Sequence, residues 1–157
     1  MNQYFLGEDA ARFSVVSFAA NATTRVPWSY DAAVINAGID QMSANGTTSI
    51  SDGFEAAGQL FVSGRENATK IVLLFSDGDQ TIDAAPGKTP LEAAVEAAAI
   101  LKTDGVTVFA WGGFGADGRL SAATLEQIAT DPSKAILAQD LAELRSSLGV
   151  LEATVCN

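Results

Sequence analysis

The sequence predicts an α/β domain, a mostly parallel sheet wrapped by helices on both faces. Three observations predict it. Apolar β-rich runs alternate with helical patterns from Arg12 to Cys156, the order that builds parallel sheets. "IVLLF" (71–75) holds five apolar residues without polar alternation, the composition of a strand buried on both faces. With 157 residues and 48% hydrophobic content, the chain is sized for one domain with a substantial core. A single domain over residues 1–157 is expected, with no internal repeat, low-complexity tract or linker.

"RFSVVSFA" from Arg12 is β-rich, and "TTRVPWS" is a short strand whose Pro27 suits an edge. "YDAAVINAGIDQM" from Tyr30 turns helical, with Ser29 or Asp31 as N-cap. After the turn "SANGTTS", "SDGFEAAGQLFVSG" resumes helical spacing through Phe54, Ala57, Leu60 and Phe61, with Ser51 and Asp52 as capping residues. "IVLLFSDGD" is the buried strand. A polar loop leads to "PLEAAVEAAAILKTDG", a helix with Pro90 near its first turn and Gly105 just past its end. "VTVFAWGG" is a second buried strand, "SAATLEQIATDP" a helix between a serine start and a proline stop, "KAILAQ" a short strand, and "DLAELRSSLGVLEATV" a closing helix. Trp28 and Trp111 read as core or crevice packing.

Nineteen acidic against nine basic residues leave a net charge of −10, which opposes nucleic acid and anionic membrane as partners. A cation, or a protein reached through one, fits better. With no histidine, Ser-His-Asp and Cys-His catalysis and histidine-bearing zinc sites are excluded. No segment reaches the length of a membrane span, and "MNQYFLGEDAARF" has neither the basic nor the apolar region of a signal peptide. Cys156 is the single cysteine: either an inert thiol or half of a disulfide whose partner lies outside this chain. Asn21-Ala-Thr23, Asn45-Gly-Thr47 and Asn67-Ala-Thr69 fit the N-glycosylation pattern and lean, with Cys156, toward an extracellular setting.

Four blocks in order, "ARFSVVSFAANAT", "NGTTSISDGFEAA", "KIVLLFSDGDQ" and "GVTVFAWGGFGADGRLSAATLEQIATDPSKAILAQDLAELRSSL", resemble a von Willebrand factor type A domain over nearly the whole chain. The resemblance implies a Rossmann-like fold with a metal-ion-dependent adhesion site on top of the sheet, assembled from three loops. The third loop's aspartate maps onto Asp77 in "FSDG", and the second loop's threonine onto Thr48 in "GTTSISDGF". The first loop's Asp-x-Ser-x-Ser occurs nowhere in these residues.

By the family's strand order, the missing first strand lies between "RFSVVSF" and "IVLLFSD". Without it both expose a long apolar edge, which natural sheets avoid. The 157 residues are therefore expected to be part of a longer protein or to begin at a misplaced Met1, with the strand supplied from upstream or by a partner chain. The resemblance also implies a closing disulfide for Cys156 in extracellular members. It implies a divalent cation, Mg2+ or Ca2+ or Mn2+, held weakly or not at all by this chain alone, since Thr48 and Asp77 give two contacts where Mg2+ wants six oxygens. An open coordination position would accept a carboxylate of a protein ligand, such as an extracellular-matrix or cell-surface protein.

Plainer readings stand beside these. Asp77-Gly78 is a common turn pair, Thr48 fits a turn or capping hydroxyl, and Asp79 is expected to be solvated. A metal-free interaction scaffold of the same fold is a second alternative. A third is enzymatic: "DGDQT" (77–81) fits the Asp-x-Asp-x-Thr of haloacid dehalogenase-like phosphotransferases, with Asp77 as nucleophile, Asp79 as acid/base and Mg2+ at the phosphate. That motif normally opens its domain, and "VTVFAWGG" lacks the acidic pair it requires, so a non-enzymatic protein-binding domain is expected.

Overall fold

The computed structural model describes residues 6–43, 46–82, 86–113, 121–140, 142–147 and 151. Strands β1 (Phe13–Phe18) and β2 (Ala22–Ser29) form a hairpin, followed by helices α1 (Ala32–Asp40) and α2 (Ile50–Val62). Strand β3 (Ile71–Ser76), helix α3 (Pro90–Thr103), β4 (Thr107–Gly112), α4 (Ala122–Ile128), a 3-10 turn (Pro132–Lys134) and β5 (Ala135–Leu137) follow. Residues 142–147 are again helical; Cys156, Asn45 and the end of the closing helix lie outside the described residues.

The strands fall into two groups rather than one sheet. β3, β4 and β5 run parallel in that order, while β1 and β2 pair antiparallel. Among the described residues, no strand pairs with the free edge of β3 or with the side of β1 away from β2. Pro27 lies within β2 without breaking it, because β2 is an edge whose outer N–H groups need no partner.

Burial follows from this split. β4 is flanked on both sides, and Val108, Phe109, Ala110 and Trp111 are fully enclosed. β3 has the same composition but one neighbour: Leu74 is buried, Ile71, Val72 and Leu73 are half-buried, and Phe75 is 44% exposed. The expectation of a strand buried on both faces thus holds for β4 and only in part for β3. Phe75 leans edge-on against Trp111, with ring centroids 5.6 Å apart, and Trp111 meets Phe109 the same way.

One core cluster joins α2 (Ile50, Phe54), α3 (Ala94, Ala97, Ala98, Leu101) and α4 (Leu125, Ile128) to Leu74, Val108 and Ala110. Alanines on α3 let it approach the sheet closely. The opposite face carries a smaller cluster of Phe109 and Trp111 with Leu144 and Leu151, so helices cover both faces of the parallel sheet. Gly38 of α1 is required by contact: a Cβ there would lie 2.1 Å from a methyl of Val26.

Local signals set the helix ends. Asp31 caps α1, accepting from Ala33 and Val34 N–H, while Ser29 Oγ accepts from Asp31 N–H. Ser49, not Ser51 or Asp52, caps α2, because Ser51 is engaged elsewhere. Thr89 and Glu92 form a capping box on α3 with Pro90 in its first turn, and Gly105 turns the chain out at φ 77°. Ser121 caps α4. The carboxyl end of α4 is held by Lys102, whose Nζ donates to the carbonyls of Gln127, Ile128 and Ala129, each at 3.1 Å. Burial pushes the Lys102 pKa below its ordinary value, while its positive charge complements the negative, carboxyl end of the α4 dipole.

Two outcomes are expected. Lys102→Met strands these carbonyls and lowers unfolding free energy by about 1–3 kcal/mol in urea titrations; an unchanged midpoint would show that the clamp contributes nothing. Hydrogen bonds from the Thr89 backbone and side chain hold the Glu92 carboxyl below the usual carboxylate range. A depressed folded-state pKa adds stability above the unfolded pKa, and that stability is lost as pH falls through the folded one. The melting-temperature gap between wild type and Glu92→Gln should therefore be present at neutral pH and close on acidification, as differential scanning calorimetry across pH would show.

Candidate metal centre at the carboxyl end of β3

Strand β3 ends in Ser76, and the chain turns sharply there. Ser76 Oγ donates to the Gly78 carbonyl at 2.7 Å and accepts from Gly78 N–H at 3.4 Å. The turn leaves the Asp77 carboxylate exposed beyond the strand tip. A Cβ at Gly78 would meet nothing within 4 Å, so the side chains around the turn fix its geometry.

Thr48 lies on the loop entering α2, and two hydrogen bonds zip that loop to the one after β3. Thr48 N–H donates to Thr81 Oγ1 at 3.0 Å, and Thr81 N–H donates to the Thr48 carbonyl at 2.9 Å. One residue on, Ser49 N–H donates to the Ala19 carbonyl at 2.8 Å, tying the same loop to the β1–β2 turn. The structure thus brings the loops of Thr48 and Asp77 together at one end of the domain. Thr48 spends its backbone on the zipper, and no hydrogen bond engages its hydroxyl among the described residues.

Gln80 underlies this arrangement. It is 6% exposed; its Oε1 accepts from Ser51 N–H at 2.7 Å, and its Nε2 donates to Ser51 Oγ at 2.9 Å and to the Ile82 carbonyl at 2.8 Å. Ser51 is therefore a bridge to Gln80, which leaves the α2 cap to Ser49. Sequence reasoning missed Gln80 and Thr81. The one signal was a glutamine directly after an apolar strand and its turn, where an amide needs partners from other segments to be buried.

Asp79, expected to be solvated, has its Oδ1 buried with no hydrogen-bond partner among the described residues. A buried carboxylate oxygen without a donor is costly, and a cation offers one way to satisfy it. The oxygens of Thr48, Asp77 and Asp79 are hard donors suited to Mg2+, Ca2+ or Mn2+. Among the described residues, no group of three His, Cys, Asp or Glu side chains converges as a metal cage. By chemistry these donors suit a divalent cation, and by number they fall short of completing its shell.

Trp28 and Trp111 serve packing, as expected. Trp111 is fully buried; Trp28 donates to the Leu60 carbonyl at 2.9 Å and lies against Phe61 at 5.5 Å. Among the described residues no helix is long and apolar enough to cross a membrane.

The von Willebrand factor type A domain profile matches residues 1–149. Proximal thread matrix protein 1 from the mussel byssus superposes with TM-score 0.73 at 28% identity, over 96% of this chain and 36% of that one. A form of the same protein described as having a zinc-occupied MIDAS motif matches at TM-score 0.70 and 30% identity, over 92% of this chain and 35% of that one. The vWF domain of the pili tip protein Mfa5 from Porphyromonas gingivalis superposes with TM-score 0.80 at 13% identity, over 96% of this chain and 81% of that one, a likeness of fold alone. The chain spans about a third of the length of the mussel protein. Comparison with curated protein sequences gives no match.

Gln80→Leu should leave Ser51 N–H buried without an acceptor and lower unfolding free energy by about 1–3 kcal/mol, with faster amide exchange at Ser51. Wild-type exchange at Ser51 in that variant would remove Gln80 from the foundation of the site.

Proposed function

The chain belongs to the von Willebrand factor type A domain family, and on that premise we propose that it binds a protein ligand through a divalent cation held beyond the carboxyl end of β3. Thr48 supplies a hydroxyl oxygen and Asp77 a carboxylate, directly or through water. The remaining coordination comes from donors outside the described residues, including a carboxylate of the ligand. The observation that carries this reading is the Thr48–Thr81 zipper, which sets two loops bearing hard oxygen donors side by side. Asp79 Oδ1, buried without a donor, supports it as a further oxygen whose burial a nearby positive charge would offset.

Mg2+ is the first candidate ion, with Ca2+ and Mn2+ as alternatives of the same hard-donor chemistry. The zinc described for the mussel protein's motif adds Zn2+ to the ions worth testing. The matrix protein among the structural neighbours supports an adhesive role outside the cell, with a matrix or surface protein as ligand. The role needs no catalysis. The phosphotransferase assignment of Asp77 and Asp79 belongs to another family, and the match over residues 1–149 leaves it without support.

A metal-free interaction scaffold is the second reading, favoured by the absence of a three-residue acidic cage among the described residues. Thermal melts of the native full-length polypeptide with and without each ion separate the two. Tenfold excess of ion over its Kd should add about 1.4 kcal/mol of stability, and Thr48→Ala or Asp77→Ala should abolish the shift while leaving the ion-free melt within about 0.5 kcal/mol of wild type. If no ion moves the wild-type melt, the scaffold reading stands.

A further inference from the structure

Asp77 and Gly78 form an Asp-Gly pair at the tip of β3, and the described residues hold two more, Asp52–Gly53 and Asp104–Gly105. In such a pair the glycine nitrogen can swing onto the Cγ of the aspartate before it, because glycine has no Cβ to crowd the approach and a freely turning backbone. Whether it does so in a folded protein depends on how firmly that nitrogen is held. The three pairs differ in this respect.

Gly53 lies in the first turn of α2, where its N–H donates to the Ser49 carbonyl at 3.4 Å and packing completes the hold: a Cβ there would lie 3.1 Å from the ring of Phe18. Gly105 is sewn in at the end of α3. The successive amides of Asp104, Gly105 and Val106 donate to the carbonyls of Ile100, Lys102 and Leu101 at 3.1, 3.1 and 3.0 Å. Gly78 has neither a helix nor a packed neighbour around it. Its N–H donates to Ser76 Oγ at 3.4 Å, long for such a bond, while the shorter contact from Ser76, at 2.7 Å, goes to the Gly78 carbonyl and leaves the nitrogen loosely held. Asp77 is exposed, and a Cβ at Gly78 would meet nothing within 4 Å.

We propose that Asp77 is a site of spontaneous isoaspartate formation, the Asp-Gly pair that this fold leaves reactive while holding Asp52–Gly53 and Asp104–Gly105 in place. The Gly78 nitrogen attacks Asp77 Cγ; an N–C bond forms, and one carboxyl oxygen leaves as water, taking the amide proton and a proton from solvent. Water then opens the cyclic imide. Attack at Cγ restores aspartate, whereas attack at the former main-chain carbonyl leaves the chain running through Cβ and Cγ, with the α-carboxylate as the side group. Mass and charge return to their starting values. The main chain after β3 is longer by one methylene, and the carboxylate stands one carbon nearer to it, so the oxygen donors beyond β3 no longer lie where Asp77 set them. The effect on a bound cation rests on the function proposed above; the modification itself does not.

The test is therefore run without divalent ions. The native full-length polypeptide is aged at neutral pH, folded in one sample and in urea in the other. Isoaspartate is located by digestion with a protease that cuts before aspartyl but not isoaspartyl residues, and by methyl transfer from S-adenosylmethionine to the recovered peptides by an isoaspartyl carboxyl methyltransferase. In urea the three pairs should convert at similar rates, since nothing holds any of the nitrogens. In the folded sample conversion at Asp77 should run severalfold ahead of Asp52 and Asp104. Gly78→Ala should cut the Asp77 yield severalfold at an unchanged melting temperature, because the added methyl crowds the attack and meets no neighbour in the fold. Folded-state conversion at Asp77 no faster than at Asp52 or Asp104 would overturn the proposal whatever the variant does, and so would an undiminished yield in folded Gly78→Ala.

Discussion

The fold depends on α2 packing against two separate strand systems at once. Among the described residues β1 and β2 share no ladder with β3, β4 and β5; what unites them is the apolar face of α2, the short loop at its amino end, and Arg65, which donates to the Glu8 and Ala10 carbonyls. Phe54 and Ile50 contribute to a cluster that reaches Phe18 on one side and Leu74 on the other. Helix packing normally consolidates a sheet that hydrogen bonds have already defined. Here it carries the connection itself, and polar contacts at the corners set the register between the halves.

Those corner contacts also build the candidate site. The backbone of Thr48 and the side chain of Gln80 are spent on holding the loop after β3 against the start of α2. With that loop fixed, the oxygens of Thr48, Asp77 and Asp79 are the donors that the proposed cation would use. Rigid backbone beneath free oxygen donors is the arrangement a hard cation needs, since flexible donors would lose entropy on coordination.

Much of this was legible in the residues. Every predicted strand and helix among the described residues exists, because each had a local signal: caps at Asp31, Thr89 and Ser121, the Pro90 and Gly105 punctuation, and apolar runs in β3 and β4. The loops bearing Thr48 and Asp77 do meet at one end of the sheet. What sequence could not give was contact between distant segments. Ser51 looked like a capping residue because capping is a local pattern, but its partner Gln80 lies 29 residues away. Asp79 looked solvated because a lone carboxylate after a turn usually is; in the fold the residue is half-buried and its Oδ1 enclosed. The strand composition of β3 matched β4, and the difference in their burial came from neighbours that composition does not encode.

The division into two strand systems bears on how the chain reaches its structure. The β1–β2 hairpin closes over a three-residue turn, a contact made within microseconds in isolated hairpins. The β3–α3–β4–α4–β5 portion is contiguous in sequence, and among the described residues its strands pair only with one another. Among the described residues neither ladder contains a strand of the other, so each portion can complete its own hydrogen bonds before the two dock through α2. Stress on the folded protein, thermal or mechanical, should then part the molecule along the line between β1 and β3 before either portion loses its own hydrogen bonds.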